Sequence, residues 1–176
     1  GSVGNGAVVV SGNWTSDSEA VLVAVCEGVR IDGASLFVRQ GAFAASLEGD
    51  SMIVTYADQN VDLTVTEAAI EQSAWVVSVA INGTLGDVTD DVMVMHGMRQ
   101  YAGTSGISEV VLTGVKMRGS CTANPVDGSA EMLQFGSGTS PVTVLSFHNT
   151  CDGKAHVDVS LYPLWIGEDI DLDLLN

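Results

Sequence analysis

The amino-acid sequence predicts an all-β protein: an antiparallel β-sandwich, jelly roll or barrel of about ten to twelve strands with little helix. Val, Ile, Thr and Ala dominate its short apolar segments, and these residue types favour strands over helices. Gly, Asp and Asn separate the segments, as is typical of turns between strands. Residues 1–176 are expected to form a single β-rich domain.

The N-terminal residues 1–11 contain the apolar run Ala7 to Val10 and are expected to form the first strand. This strand pairs within its own chain, or it is exchanged with a neighbouring subunit or lies at the edge beside one. In residues 16–26, Ser16 and Glu19 have capping-box spacing. The alternating valines that follow favour a strand there.

Turns and alternation define the strands that follow. Four dipeptides each predict a hairpin or a tight bend because Gly adopts positive φ at little cost. Alternation in residues 61–65, 157–161 and 169–174 puts apolar side chains on one face only. The turn dipeptides are Asp32-Gly33, Gly49-Asp50, Asn82-Gly83 and Asp152-Gly153.

Other segments are apolar on both faces, as expected of strands inside a sandwich or barrel, or of strands covered by a partner chain. Residues 66–72 are the candidate helix, with Thr66 as its N-cap. Residues 119–140 are rich in Gly, Asn and Pro and are expected to form a long irregular loop. The two-sided apolar segments are residues 20–26, 74–81, 92–95 and 110–112.

The charge of the chain disfavours two classes of partner. Six Lys and Arg residues stand against 22 Asp and Glu residues, giving a formal net charge of −16. Nucleic acids and anionic membrane surfaces both recruit clustered basic side chains, and the six are scattered. Since no apolar run approaches the roughly 20 residues that span a bilayer, we expect neither nucleic-acid binding nor membrane insertion.

The three cysteines predict one disulfide. Cys121 and Cys151 lie at strand ends beside turn residues, whereas Cys26 lies within an apolar strand and is expected to be a free core thiol. The alternative is three reduced, buried thiols in a cytosolic protein. Asn13 and Asn82 begin glycosylation acceptor sequences, which matter only in a eukaryotic secretory pathway, and Asn82 also fits an Asn-Gly turn.

No catalytic motif emerges: the sequence has no Gly-x-Ser-x-Gly elbow, paired Cys-x-x-Cys or His-Glu-x-x-His. His148 and His156 fit a cross-strand surface pair better than a general base. Asp87, Asp90 and Asp91 in a turn-like segment are a candidate calcium site, with a solvated loop as the alternative. The series Asp169, Asp171 and Asp173 fits either calcium or a charged, protected strand edge. No cofactor is predicted.

Residues His96 to Gly106 read His-Gly-Met-Arg-Gln-Tyr-Ala-Gly-Thr-Ser-Gly. This segment resembles the Gly-rich bend of the dirigent and allene oxide cyclase-like β-barrels. His96 and Arg99 stand where that family usually has glycines, and no catalytic residue of the family can be matched. The resemblance therefore implies a tight turn between two strands rather than an activity.

These observations favour a non-enzymatic structural or recognition domain of an extracellular, cell-surface or virion-surface assembly. Its expected partners are proteins, either further copies of itself or a receptor. The alternative is a β-barrel or module that binds a carbohydrate or another small ligand by stacking on exposed aromatic rings. The candidate stacking residues are Trp165, Tyr162, Trp14 and Tyr101.

Overall fold

The computed structural model describes the whole chain except residues 1, 17–18, 65–66, 82–86, 105, 122–124, 137–140, 162–163 and 173–176. Eleven antiparallel strands form one sheet, which confirms the all-β prediction and its strand number. The strands are β1 (Ser2–Ser16), β2 (Glu19–Asp32), β3 (Ser35–Glu48), β4 (Ser51–Leu63), β5 (Ala68–Ala80), β6 (Val92–Gly103), β7 (Gly106–Arg118), β8 (Asp127–Phe135), β9 (Val142–Phe147), β10 (Lys154–Leu161) and β11 (Leu164–Asp171).

The strand order follows the chain, so each strand pairs with the next one along the sequence. This is an up-and-down meander, because strands that are neighbours in the sequence are neighbours in the sheet and no crossover connection occurs in the described sheet. A sandwich or jelly roll requires two packed sheets. The described ladders form one sheet and do not join β1 to β11.

Three of the predicted turns are confirmed by positive backbone φ angles. Gly33, Gly49 and Gly153 have φ values of 62°, 59° and 68°, which only glycine adopts without strain. The first two close tight hairpins, and Gly153 lies between β9 and β10. The predicted Asn82-Gly83 turn lies outside the described residues.

Two local predictions are wrong. Residues 68–72, expected to be helical, belong to β5, where Ile70 pairs with Val61 of β4 and Ala102 of β6. Two-sided pairing outweighs the weak helix propensity of this alanine-containing segment. The second error concerns residues 119–140, because β8 occupies 127–135 instead of an irregular loop. The strand preference predicted for residues 16–26 is confirmed for Ser16 in β1 and for residues 19–26 in β2, and residues 17–18 lie outside the described residues.

The buried core is small and lies at the C-terminal end of the sheet. Among the described residues, the buried hydrophobic side chains are Val115, Cys121, Val126 and Ala155. The segment after β7 folds back, and the Val126 amide donates to the Lys116 carbonyl at 2.8 Å. Elsewhere, the strands that are apolar on both faces are half-buried or exposed, because no second element packs over them in the described part of the chain. No helix of the described residues is long and apolar enough to cross a membrane.

Candidate functional site

The strand registers divide the sheet into two faces, because directly paired residues point to the same side. A row of polar residues crosses six strands from β2 to β7 on the first face, and we call it the polar row. Because most of its members are glutamines, we name this face the glutamine face. We name the second the tryptophan face, after Trp75 of β5. On β5 the side chains of the glutamine face are exposed, whereas those of the tryptophan face are half-buried. The polar row consists of Glu27, Gln40, Gln59, Gln72, Gln100 and Glu109.

Hydrogen bonds join neighbouring members of the polar row across the strands. Gln40 Nε2 donates to Gln59 Oε1 at 2.6 Å, and Gln72 Nε2 donates to Gln100 Oε1 at 2.7 Å. Gln100 Nε2 in turn donates to Glu109 Oε2 at 3.1 Å. A slip of one residue would carry an amide to the other face, so these bonds support the observed register.

A groove with a volume of about 530 Å³ runs beside the polar row. Ala42, Ala57 and Ala74 are paired across β3, β4 and β5 and form a floor of short side chains. Val25 and Met98 lie at the two ends of this floor. The amides of the polar row line one side of the groove, which therefore offers methyl contacts and hydrogen bonds rather than a reacting group.

The tryptophan face carries a polar network across β4, β5 and β6. The Ser73 hydroxyl donates to Asp58 Oδ1, and Asn60 Nδ2 donates to Asp58 Oδ2 at 3.1 Å. Arg99 forms an ion pair with Glu71. Burial raises the pKa of Tyr56, and the charge of Asp58 raises this pKa further. Each of these groups has a partner in the network, which is the usual state of structural polar residues.

The N-terminal hairpin of β1 and β2 exposes apolar side chains on both faces. Val8 and Val10 point to one face and Val9 to the other, with exposed fractions of 69%, 60% and 66%. Val3 and Trp14, near the ends of β1, are 72% and 70% exposed. Folded monomers rarely expose a contiguous apolar surface of this kind.

The predicted pair His148 and His156 meets at a shared carboxylate. His156 Nδ1 lies 2.7 Å from Asp169 Oδ1, and His148 Nε2 lies 3.9 Å from the same oxygen. Asp169 raises the pKa of His156, chiefly through this hydrogen bond, and the pKa of Asp169 is lowered in return. His148 also lowers the pKa of Asp152, at 3.1 Å. Asp169 of the predicted calcium series therefore binds a histidine side chain in the described structure. Asp173 of that series lies outside the described residues.

The candidate calcium site at Asp87, Asp90 and Asp91 has no supporting geometry among the described residues. The Asp87 carboxylate accepts hydrogen bonds from the Thr89 amide at 3.0 Å and from the Thr89 hydroxyl at 2.5 Å, and these bonds lower its pKa. Asp90 and Asp91 follow in the same turn. Across the described part of the chain, no group of three His, Cys, Asp or Glu side chains is placed to hold a metal ion.

The predicted stacking residues are not gathered at one place. Trp14 is 70% exposed on β1 and Trp165 is 65% exposed on β11, at opposite edges of the sheet and on opposite faces. Tyr101 is half-buried in β6, where its ring leaves no room for a side chain at Gly103. Tyr162 lies outside the described residues. Trp165 and Trp14 are therefore separate exposed rings, not one platform.

The cysteine prediction is confirmed in its pairing and wrong in one detail. Cys121 and Cys151 form a disulfide with a Cα–Cα distance of 5.7 Å, and Cys26 is free. Cys26 is exposed, although a core position was expected, because no second layer covers β2. Asn13 lies in the exposed strand β1, and Asn82 lies outside the described residues.

The polar row is the feature that the sequence analysis missed. A partial signal for it exists, because the turns at Gly33 and Gly49 fix how β2, β3 and β4 align and so place Glu27, Gln40 and Gln59 opposite one another. The segment 96–106 spans the end of β6 and the start of β7, and its resemblance to the dirigent-like barrels stays a prediction. The chain matches no protein-family model, no curated protein and no solved structure.

Proposed function

We propose that this chain is a non-enzymatic structural β-domain that acts through protein–protein contacts, above all with further copies of itself. The observation that carries the proposal is its large accessible surface. The chain exposes 11,088 Å² for a mass of 18.2 kDa. A folded monomer of that mass is expected to expose roughly 8,100 Å².

The excess is about 3,000 Å² per chain, or about 6,000 Å² for two chains, whereas obligate interfaces bury about 2,000 to 5,000 Å² or more summed over both partners. Much of this excess is apolar, since most valines, isoleucines and leucines of β1, β2 and β11 are more than two-fifths exposed. Each Å² of apolar surface removed from water contributes about 25 cal/mol. Association of sheets would therefore supply the second layer that the single chain lacks.

The disulfide and the charge support an extracellular compartment for this domain. The bond between Cys121 and Cys151 is typical of oxidising, extracellular environments. A net charge of −16 keeps the subunits soluble and disfavours nucleic acid as a partner. These properties suit a secreted, cell-surface or virion-surface assembly.

Sedimentation velocity of the full-length chain over a wide concentration range tests the proposal. We expect a mass above 18.2 kDa that rises with concentration. Deleting residues 1–11 should remove the larger species and leave a folded, less stable subunit, because part of the apolar hairpin is lost. A full-length monomer at every concentration would contradict self-association.

A second candidate function, carbohydrate binding, is favoured by the surroundings of Trp165. Trp165, Asp158 and His156 share the glutamine face across β10 and β11, and Trp165 is 65% exposed. Gly167 between them has no side chain, and a Cβ there would lie 2.8 Å from Asp158 Oδ1 and from His156 Nε2. An aromatic ring beside hydrogen-bonding groups is a typical sugar-binding arrangement.

Two tryptophan variants test this candidate. Trp165→Ala should abolish glycan binding on an array and change the free energy of unfolding by no more than about 0.5 kcal/mol, as surface substitutions do. Trp75→Ala is the matched structural control, because Trp75 packs over Gly97 and is half-buried. The control should lower stability by about 2 to 3 kcal/mol. Equal losses of stability would place Trp165 in the packing of the sheet.

A further inference from the structure

The two edges of the sheet differ in charge. The strand β1, Ser2–Ser16, contains no charged residue. At the opposite edge, β11 contains Glu168, Asp169 and Asp171. Charged side chains on an edge strand prevent pairing with another chain, whereas a long, flat, apolar edge invites it. The edge formed by β1 therefore lacks the protection that the β11 edge has.

The sequence of β1 is nearly symmetric about Val9. From Asn5 to Asn13 it reads Asn-Gly-Ala-Val-Val-Val-Ser-Gly-Asn. Read from either end, the order is asparagine, glycine, a small residue, then valine. The match spans β1 except for a few residues at each end, and it lies wholly within the exposed part of the strand.

We infer that β1 pairs with β1 of a second copy, antiparallel and about a two-fold axis at Val9. This inference rests on the proposed self-association and names the edge, the direction and the register. In this register Val9 lies opposite itself, Val8 opposite Val10 of the second copy, and Asn5 opposite Asn13 of the second copy. A two-fold interface brings one surface patch against itself, and a symmetric strand makes such a patch self-complementary.

Side-chain sizes and charges fit this register. Valine faces valine and asparagine faces asparagine, so directly opposite side chains, which interact across strands, match in size and polarity and no like charges meet. Beyond the symmetric stretch, Trp14 falls opposite Gly4 of the second copy, and a Cβ at Gly4 would have no atom closer than 3.8 Å. Since each copy carries a net charge of −16, an uncharged edge is where two copies approach with least repulsion.

The pairing adds backbone hydrogen bonds to apolar contact. β1 has 15 residues, which at about 3.4 Å per residue gives an edge of about 50 Å. The unpaired N–H and C=O groups along this edge would bond to those of the second copy. The tryptophan faces of both copies lie on one side of the joined sheet, because the two-fold axis is perpendicular to it.

Disulfide trapping tests the register. In a Cys26→Ser background, which removes the free thiol, Val9→Cys should form a covalent dimer under mild oxidation, because directly opposite Cα atoms lie about 4.5 to 5.5 Å apart. Val3→Cys is the matched control on the same strand. In the proposed register its two copies lie about 41 Å apart. We expect at least about tenfold more covalent dimer from Val9→Cys, since only its separation allows a disulfide.

The other outcomes separate this inference from the proposed function. Dimers of both cysteine variants would indicate parallel, in-register strands and overturn the antiparallel pairing. If neither variant is trapped while sedimentation of the Cys26→Ser protein shows an oligomer, self-association stands and the β1 edge is wrong. If that protein is a monomer at every concentration, both proposals fail. Circular dichroism of the reduced variants establishes that each one is folded.

Discussion

Val126, after β7, is 1% exposed, whereas Val8, in β1, is 69% exposed. Val8 belongs to an edge strand of the sheet and Val126 to the segment that precedes β8, and the difference lies in what each side chain packs against. At the C-terminal end, the segment after β7 and the loop before β10 fold against the strands and are tied together by the disulfide between Cys121 and Cys151. Nothing in the described chain covers the hairpin of β1 and β2.

The comparison shows that apolar residues alone do not make a core. An apolar strand is buried only when a second element lies over it, and the chain supplies such an element at one end of the sheet. The segment after β7 is thereby packed within the chain, whereas the N-terminal hairpin is the part that the proposed self-association would cover. Substitutions in the buried C-terminal region should therefore lower the free energy of unfolding by large amounts, whereas the effects of substitutions in the N-terminal hairpin should depend on protein concentration.

The disulfide should make the largest contribution to the C-terminal end. Replacing Cys121 and Cys151 by alanine should lower the free energy of unfolding by about 3 to 4 kcal/mol, because the bond closes a loop with a sequence separation of 30. Urea denaturation measures this loss. Cys26→Ser is the control, since Cys26 is exposed, and it should change stability little. If Cys26→Ser lowered the free energy of unfolding as much as loss of the disulfide does, the proposed difference between the two regions would be wrong.

A pair of valine substitutions sharpens the comparison. Val126→Ala should cost about 2 kcal/mol, because it removes buried methyl groups and leaves a cavity. Val10→Ala, at 60% exposure, should cost no more than about 0.5 kcal/mol in dilute solution. Thermal melts at several protein concentrations provide the measurement. The cost of Val10→Ala should grow with concentration, and a cost independent of concentration would count against a partner on β1.

The smallest expected effect is a pH dependence at β10 and β11. Asp169 raises the pKa of His156, so the stabilisation from this pair is complete below pH 6.5, the usual histidine value, and is lost as pH rises through the raised pKa. The same stabilisation is also lost in acid, when the pH falls through the lowered pKa of Asp169 and its carboxylate is protonated. The effect is small because both groups are exposed to water.

His156→Gln should flatten this profile above neutral pH. Urea midpoints from about pH 5 to about pH 9 compare it with the wild type across the histidine range. His96→Gln is the matched control on another strand, since His96 receives a hydrogen bond from the Gly114 amide instead of facing a carboxylate. If His156→Gln leaves the alkaline slope unchanged, the contact with Asp169 does not contribute to stability.

Local signals explain what the sequence predicted well. The turns at Gly33, Gly49 and Gly153 were predictable because positive φ demands a particular residue type. The disulfide was predictable because Cys121 and Cys151 flank turns while Cys26 does not. The helix expected at 66–72 failed because pairing with β4 and β6 decides that conformation, and local propensity carries no information about pairing.

Longer-range features escaped the sequence for a physical reason. The polar row exists only when the registers of six strands are known together, and an error of one residue moves a side chain to the other face. Strand β8 was hidden because glycines and Pro125 around it indicated a loop, although Met132 and Leu133 are apolar. The exposure of Cys26 could not be predicted either, since burial depends on whether a second layer exists.

Amide hydrogen exchange of β1 and β7, measured in the same samples at low and high protein concentration, tests the central claim most directly. β1 is an edge strand and β7 carries the buried Val115, and exchange slows when an amide is paired. We predict that the amides of β1 become more protected as concentration rises, while those of β7 exchange at the same rate throughout. Exchange of β1 that is independent of concentration would contradict the claim that another copy covers the N-terminal hairpin.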